Sequence, residues 1–156
     1  MLAQHFNTEW CPEFAREYLH THGKAYNFDD LLIIAKGQIA LEEKYTALVK
    51  DRTELLFIDT DMYVMKVWNE YVFGKCHQFI LDEIVERKYD LYLFCNIDLP
   101  WVQDELREYP DEGPRAELYH IYKDLLLNQK VPWVEISGDY DQRLDTAIKA
   151  VNSIIE

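Results

Sequence analysis

The chain has 156 residues, with 29 Asp+Glu against 16 Lys+Arg and a formal net charge of −13. That balance excludes the basic stripe with which a protein displaces counterions from duplex nucleic acid, and it opposes binding to an anionic membrane surface. With 49% hydrophobic and 14% aromatic residues, the composition excludes disorder and suits one folded domain over 1–156.

Taken in chain order, Thr8 to Cys11 is a weak strand candidate, and Pro12 suits the first position of a helix running to about His20. Asn27 is placed to cap a second helix, with Asp29 and Asp30 in its first turn and an apolar stripe of Phe28, Leu31, Leu32, Ala35 and Ile39. Leu55 to Ile58 is a short apolar run of the kind buried on both faces of a parallel sheet. After Asp59-Thr60-Asp61 comes a helix bearing Trp68, Tyr71 and Phe73, ended by Gly74. Tyr89 to Cys95 and Val131 to Ile136 are further buried strands. Leu118, Ile121, Tyr122, Leu125 and Leu126 form one helical stripe, and Leu144, Ala147, Ile148, Val151, Ile154 and Ile155 form another. Strands alternating with helices predict an α/β fold, a parallel sheet covered on both faces.

Open α/β sheets bind ligands beyond the carboxyl ends of their strands. Here those positions hold Glu13, then Asp59 and Asp61, then Asp98, then Ser137-Gly138-Asp139. Aspartate also caps helices and fills turns, but only one of Asp59 and Asp61 can cap the helix that follows them. An apolar strand ending in Asp59 has the Walker-B form that holds Mg²⁺, usually through water. The segment from Asp98 through Pro100, Trp101, Asp104 and Arg107 concentrates turn residues and is followed by Pro110, Gly113, Pro114 and Arg115. Arginines in such a setting suit phosphate gripping through paired guanidinium hydrogen bonds. The bland alternative is that Asp104 and Arg107 simply pair on a solvated turn. Glu13 and Glu17 share a helical face with Arg16 beside them, which surface ion pairing also explains.

The five glycines are scattered, so neither G-x-G-x-x-G nor G-x-x-x-x-G-K-[ST] can be written in the chain. Three widely spaced cysteines without C-x-x-C predict reduced, buried thiols, and no histidine motif supports a metal or hydrolytic centre. No uncharged apolar run approaches the ~20 residues of a membrane span, and no basic-then-apolar leader opens the sequence, so a cytoplasmic location is expected.

In order, Pro12-Glu13-Phe14-Ala15-Arg16-Glu17-Tyr18, Ala35-Lys36-Gly37-Gln38 with Glu42 and Glu43, and Phe57-Ile58-Asp59-Thr60-Asp61 precede Trp68 and Phe73-Gly74. Tyr89 to Leu93, the Asp98-to-Arg107 segment, Ile136-Ser137-Gly138 and Arg143 complete the series. Together these resemble the P-loop nicotinamide riboside kinase domain of bacterial NAD-salvage proteins. The resemblance runs over essentially the whole chain. It implies phosphoryl transfer from MgATP to the 5′-hydroxyl of nicotinamide riboside.

The resemblance also implies roles. Asp59 would organise Mg²⁺ and its waters, and Asp61 or Glu13 would accept the hydroxyl proton or hold the ribose. Arg107 and Arg115 would close on the phosphates. Glu13, Arg16, Asp98 and Asp104 would border the nucleoside, Trp68 or Trp101 would stack on its cationic ring, and Gly138 to Arg143 would border the adenine.

Family members open with an apolar strand, the phosphate loop and its helix, and Met1 to Phe6 looks like the tail of that helix. About twenty positions are then lacking. The expectation is an interrupted sheet missing its first, central strand and a chain that binds ATP poorly or not at all. Two open strand edges would invite pairing with another chain, including a second copy. A non-catalytic binding relative and a kinase for another nucleoside are the alternatives.

Overall fold

The computed structural model describes residues 1–52, 55–102, 106 and 108–155. The chain separates into two compact units, Met1–Arg87 and Lys88–Glu156.

In the first unit, α1 (Leu2–His5) is a single turn and leads into β1 (Trp10–Cys11). α2 (Phe14–His22) and α3 (Phe28–Val49) follow, then β2 (Phe57–Ile58), α4 (Met62–Phe73) and α5 (Gln78–Glu86). β1 and β2 are parallel, with Trp10 opposite Phe57 and Cys11 opposite Ile58. The Asp59 amide continues the ladder by donating to the Cys11 carbonyl at 3.1 Å. Just before the strands, the Thr8 hydroxyl donates to the Leu55 carbonyl at 2.6 Å.

α3 begins as its sequence predicts. The Asn27 side chain accepts from the Asp29 and Asp30 amides while Asp30 accepts from the Asn27 amide, a reciprocal capping box. Its buried face meets α2, α4 and α5 in a core built on Ala15, Leu31, Ile34, Ala35, Met65 and Ile80. Each large apolar side chain buried there contributes about 1.5–3 kcal/mol. α4 closes on Gly74, whose left-handed φ of 66° ends the helix at the glycine named from sequence.

The second unit comprises β3 (Tyr92–Cys95), α6 (Glu112–Leu127), β4 (Trp133–Ile136) and α7 (Tyr140–Ile155). β3 and β4 are parallel, in register from Tyr92 opposite Trp133 to Cys95 opposite Ile136. Phe94 of β3 stacks on Tyr119 of α6 at 4.8 Å between ring centroids, and α7 buries Ala147, Ala150 and Val151.

The α/β class with parallel strands and intervening helices is as expected, and among the described residues the sheet is two separate parallel pairs. Four details differ. Pro12 precedes the N-cap Glu13 rather than opening α2, because the extended backbone of Glu13 (ψ 113°) delays the helix by two residues, to Phe14. α5 carries no marked signal at its start, where His77 makes no side-chain cap. Gly113 and Pro114 lie inside the first turn of α6 instead of a loop. Proline is tolerated there because first-turn amides have no intrahelical partner to lose. Each strand is shorter than its apolar run.

Candidate functional site

In the first unit, β1 and β2 end side by side, so parallel pairing brings the residues after them to one edge. Glu13 stands at the N-cap of α2, half-buried, and makes no side-chain cap bond to the helix. Arg16, one turn on, is exposed.

Asp59 follows β2 and is exposed. Among the described residues, its carboxylate has no hydrogen-bond or ion-pair partner. Asp61 is the cap of α4, its carboxylate accepting from the Val64 amide at 3.1 Å. The pair is thereby divided into one aspartate that serves the helix and one that does not. Between them, Thr60 is buried.

Beneath this edge lies a polar layer of residues that the sequence reading named without assigning them a role. Gln38 and Glu42 of α3 are buried, with 1% and 5% exposure. The Gln38 side chain accepts from the Phe14 amide at 2.7 Å and donates to the Pro12 carbonyl at 3.2 Å and the Cys11 sulfur at 3.6 Å. Cys11 is fully buried, and burial, reinforced by the negative charges of Glu42 and Asp59, pushes its thiol up to about 11. It is a neutral structural thiol, not a nucleophile. The available signal was that Gln38 and Glu42 continue the apolar stripe of Leu31, Ile34 and Ala35 at helical spacing while being polar.

Trp68 is half-buried against the core. Its indole N–H donates to the Tyr26 hydroxyl at 2.8 Å, and the two rings meet edge to face.

In the second unit, the structure brings together Asp98, Gly138 and Arg143 where β3 and β4 end. The Gly138 amide donates to the Asp98 carboxylate at 2.6 Å, and Arg143 pairs with the same carboxylate. The Arg143 guanidinium also donates to the Gly138 carbonyl at 2.9 Å and the Asn96 carbonyl at 2.8 Å. The Gly138 amide, together with Arg143, holds the Asp98 carboxyl below its usual range. Gly138 adopts φ 93°, and a Cβ there would collide with the Gln142 side chain. Asp139 and Gln142 exchange reciprocal bonds that start α7.

Arg115 is on α6, half-buried, and its Nε is buried without a hydrogen-bond partner among the described residues. Trp101 is half-buried. Asp104 and Arg107 lie outside the described residues.

The donor set suits Mg²⁺ of the kind held by one carboxylate, its own waters and a substrate phosphate, with Asp59 as that carboxylate. Among the described residues no three His, Cys, Asp or Glu side chains gather as a metal cluster, so a fully protein-ligated cation does not fit. No described helix is long and apolar enough to cross a membrane.

The chain is similar to the trifunctional NAD biosynthesis/regulator protein NadR of Escherichia coli strain K12, 27% identical over 99% of this chain and 38% of the relative. The Salmonella typhimurium protein of the same description is 26% identical over the same shares. The chain thus spans 38% of the length of these curated relatives. A solved structure of NadR protein in complex with NR superposes with a TM-score of 0.70 at 21% identity, over 98% of this chain and 44% of that one, which establishes a common fold. A family model described as AAA domain matches residues 1–143, and by that match the chain belongs to the AAA domain family.

Proposed function

We propose that the chain is the nucleoside-binding part of a nicotinamide riboside kinase, a domain of NAD salvage that phosphorylates the ribose 5′-hydroxyl. The observation that carries this reading is the pairing of Glu13 and Asp59 at the carboxyl ends of β1 and β2. It falls within a chain that matches, nearly end to end, proteins described as acting in NAD biosynthesis. The NR in the structurally similar NadR supports a nucleoside ligand.

In this reading Glu13 holds the ribose or accepts its hydroxyl proton. Asp61 is the weaker candidate, because one of its oxygens already serves the helix. Asp59 holds Mg²⁺ through water, and when bound the ion neutralises charge on a transferring phosphoryl group. Arg16, Asp98 and Asp104 border the nucleoside. Trp68 or Trp101 stacks on the cationic ring. Arg115, whose buried Nε has no hydrogen-bond partner among the described residues, and Arg107 supply positive charge to phosphate. Gly138 and Arg143 form the braced turn proposed beside adenine.

The family match crosses Arg87, which supports treating 1–156 as one domain. The acidic charge supports small-molecule rather than nucleic-acid partners, and three free cysteines support a reducing, cytoplasmic location.

Calorimetric titration tests the reading. Nicotinamide riboside binds, and a Glu13→Ala variant binds it more weakly, with an affinity still within calorimetric range. Absence of nucleoside binding by the native chain would overturn it.

A further inference from the structure

The turn that carries Glu13 is gripped from one side by a single buried side chain. Gln38 contacts three of four consecutive residues, Cys11, Pro12 and Phe14. Its Oε1 accepts from the Phe14 amide at 2.7 Å, and its Nε2 donates to the Pro12 carbonyl at 3.2 Å and the Cys11 sulfur at 3.6 Å. The orientation of the amide is fixed by its partners, because an N–H must meet Oε1 and a carbonyl must meet Nε2. Phe14 opens α2, so its amide is one of the first-turn donors without an intrahelical partner. The usual local remedy is absent, since Glu13 makes no side-chain cap. A side chain from another helix supplies the acceptor instead.

A second contact holds the same turn. The Phe14 ring lies where a Cβ of Gly37 would be, so it rests directly on the α3 backbone. Gly37 receives the ring, and the adjacent Gln38 receives the main chain. An apolar residue at position 38 would continue the core stripe, but it would leave the Phe14 N–H and Pro12 carbonyl without this partner. The buried amide instead fixes the backbone on both sides of Glu13, and with it the direction of the Glu13 Cα–Cβ bond.

The geometry points to Gln38 as a positioning residue for the nucleoside site: it orients Glu13 toward the ligand without touching the ligand itself. This role rests on the nucleoside-binding reading above. It extends the site to a residue that stands 25 positions from Glu13 in sequence and is almost wholly out of solvent.

The test is a double-mutant cycle read by calorimetric titration of nicotinamide riboside into the full chain, with amide hydrogen exchange at Phe14 followed by NMR. Gln38→Met keeps the length of the side chain and removes its hydrogen bonds. It is expected to weaken nicotinamide riboside about tenfold, a loss on the scale of one unsatisfied buried group. It is also expected to accelerate exchange at Phe14. In a Glu13→Ala background the same substitution is expected to cost the ligand nothing further, because its effect passes through Glu13.

Equal losses in both backgrounds, or unchanged exchange at Phe14, would overturn the role. If Gln38→Met does not fold, Gln38→Glu takes its place. That variant retains an acceptor for Phe14 and loses the donor to Pro12, and native-like affinity in it would equally overturn the proposal. Failure of the native chain to bind removes the nucleoside reading itself. Native binding with an indifferent Gln38 removes only the positioning role.

Discussion

Glu42 of α3 and Arg87 at the end of α5 form an ion pair at 2.8 Å, with 7% and 18% of their side chains exposed. Arg87 also reaches Glu83 at 2.9 Å and Glu43 at 3.0 Å, so one guanidinium ties two helices through three carboxylates. Burial alone would lower the Arg87 pKa, but the hydrogen bonds and charges of Glu42 and Glu83 outweigh it and raise it. Removing one partner strands a buried charge, which typically costs about 3–5 kcal/mol, whereas removing both is far cheaper. Arg87→Met is therefore expected to destabilise strongly, and Arg87→Met with Glu42→Leu to recover most of the loss. Urea unfolding of the single and double variants checks this.

Gly37 and Phe14 predict a steric effect with a specific remedy. A methyl group at position 37 would occupy the volume of the Phe14 ring, so Gly37→Ala must push α2 from α3 or force the ring out of its rotamer. Such overpacking costs about 1–3 kcal/mol, and the better helix propensity of alanine offsets only part of it. Trimming the ring should relieve the clash: Gly37→Ala is expected to be less damaging in a Phe14→Leu background than alone. Thermal unfolding of the four combinations settles the sign.

What was legible in the sequence follows from how local each signal is. The Asn27 cap and the Gly74 terminus are contained within one turn, and the structure places them as expected, whereas the stripe on α7 is turned inward only as far as Val151, with Ile154 and Ile155 exposed. Gln38 and Glu42 were named without a role because their partners, Phe14 and Arg87, lie far away in sequence, and an isolated polar residue on an apolar stripe does not name its partner. Pro114 was read as a turn residue because proline breaks helix interiors, yet it occupies a first turn where no hydrogen bond is lost. The carboxylates at the strand ends were visible individually. That Asp61 and not Asp59 is the helix cap emerged only from the bond to Val64.

The three thiols should separate by burial. Cys95 is exposed, Cys76 is half-buried with its pKa raised chiefly by desolvation, and Cys11 is buried and raised to about 11. Because the thiolate is the reacting species, alkylation near pH 8 is expected at Cys95 first, at Cys76 more slowly, and at Cys11 only on unfolding. Mass spectrometry of a timed iodoacetamide reaction counts the labels, and early labelling of Cys11 would contradict its burial. A raised thiol pKa also contributes stability that is fully present below the unfolded value, ~8.5, and is lost as pH rises toward 11. Mild alkaline weakening of the native chain is expected, and Cys11→Ser would alter it.

Acid should loosen the second unit. Glu135 of β4 accepts from the Tyr119 hydroxyl at 2.6 Å and Lys123 at 3.1 Å, and these bonds, that from Tyr119 first, hold its carboxyl below the ordinary range. Asp98 is lowered by the Gly138 amide and Arg143. A depressed carboxylate contributes stability present above its unfolded pKa, about 4, and lost as pH falls through its lower folded value. The native chain should lose stability as pH falls below about 4, and Glu135→Gln should flatten that dependence while costing some stability at neutral pH. A pH series of urea midpoints measures both effects.

The last prediction separates the two aspartates after β2. Asp61 caps α4, so Asp61→Ala is expected to cost about 1 kcal/mol of stability, within the usual range for a lost N-cap. Asp59 is exposed and is not used by the helix, so Asp59→Asn should leave stability within about 0.5 kcal/mol. The proposed Mg²⁺ role should respond in the opposite order. Substoichiometric Mn²⁺ is expected to broaden the amide signals around Asp59 in the native chain and in Asp61→Ala, but not in Asp59→Asn. Broadening that follows Asp61 would reassign the cation to the capping residue. Broadening at neither would remove Asp59 from the metal role, leaving an exposed carboxylate whose charge serves neither the helix nor a cation.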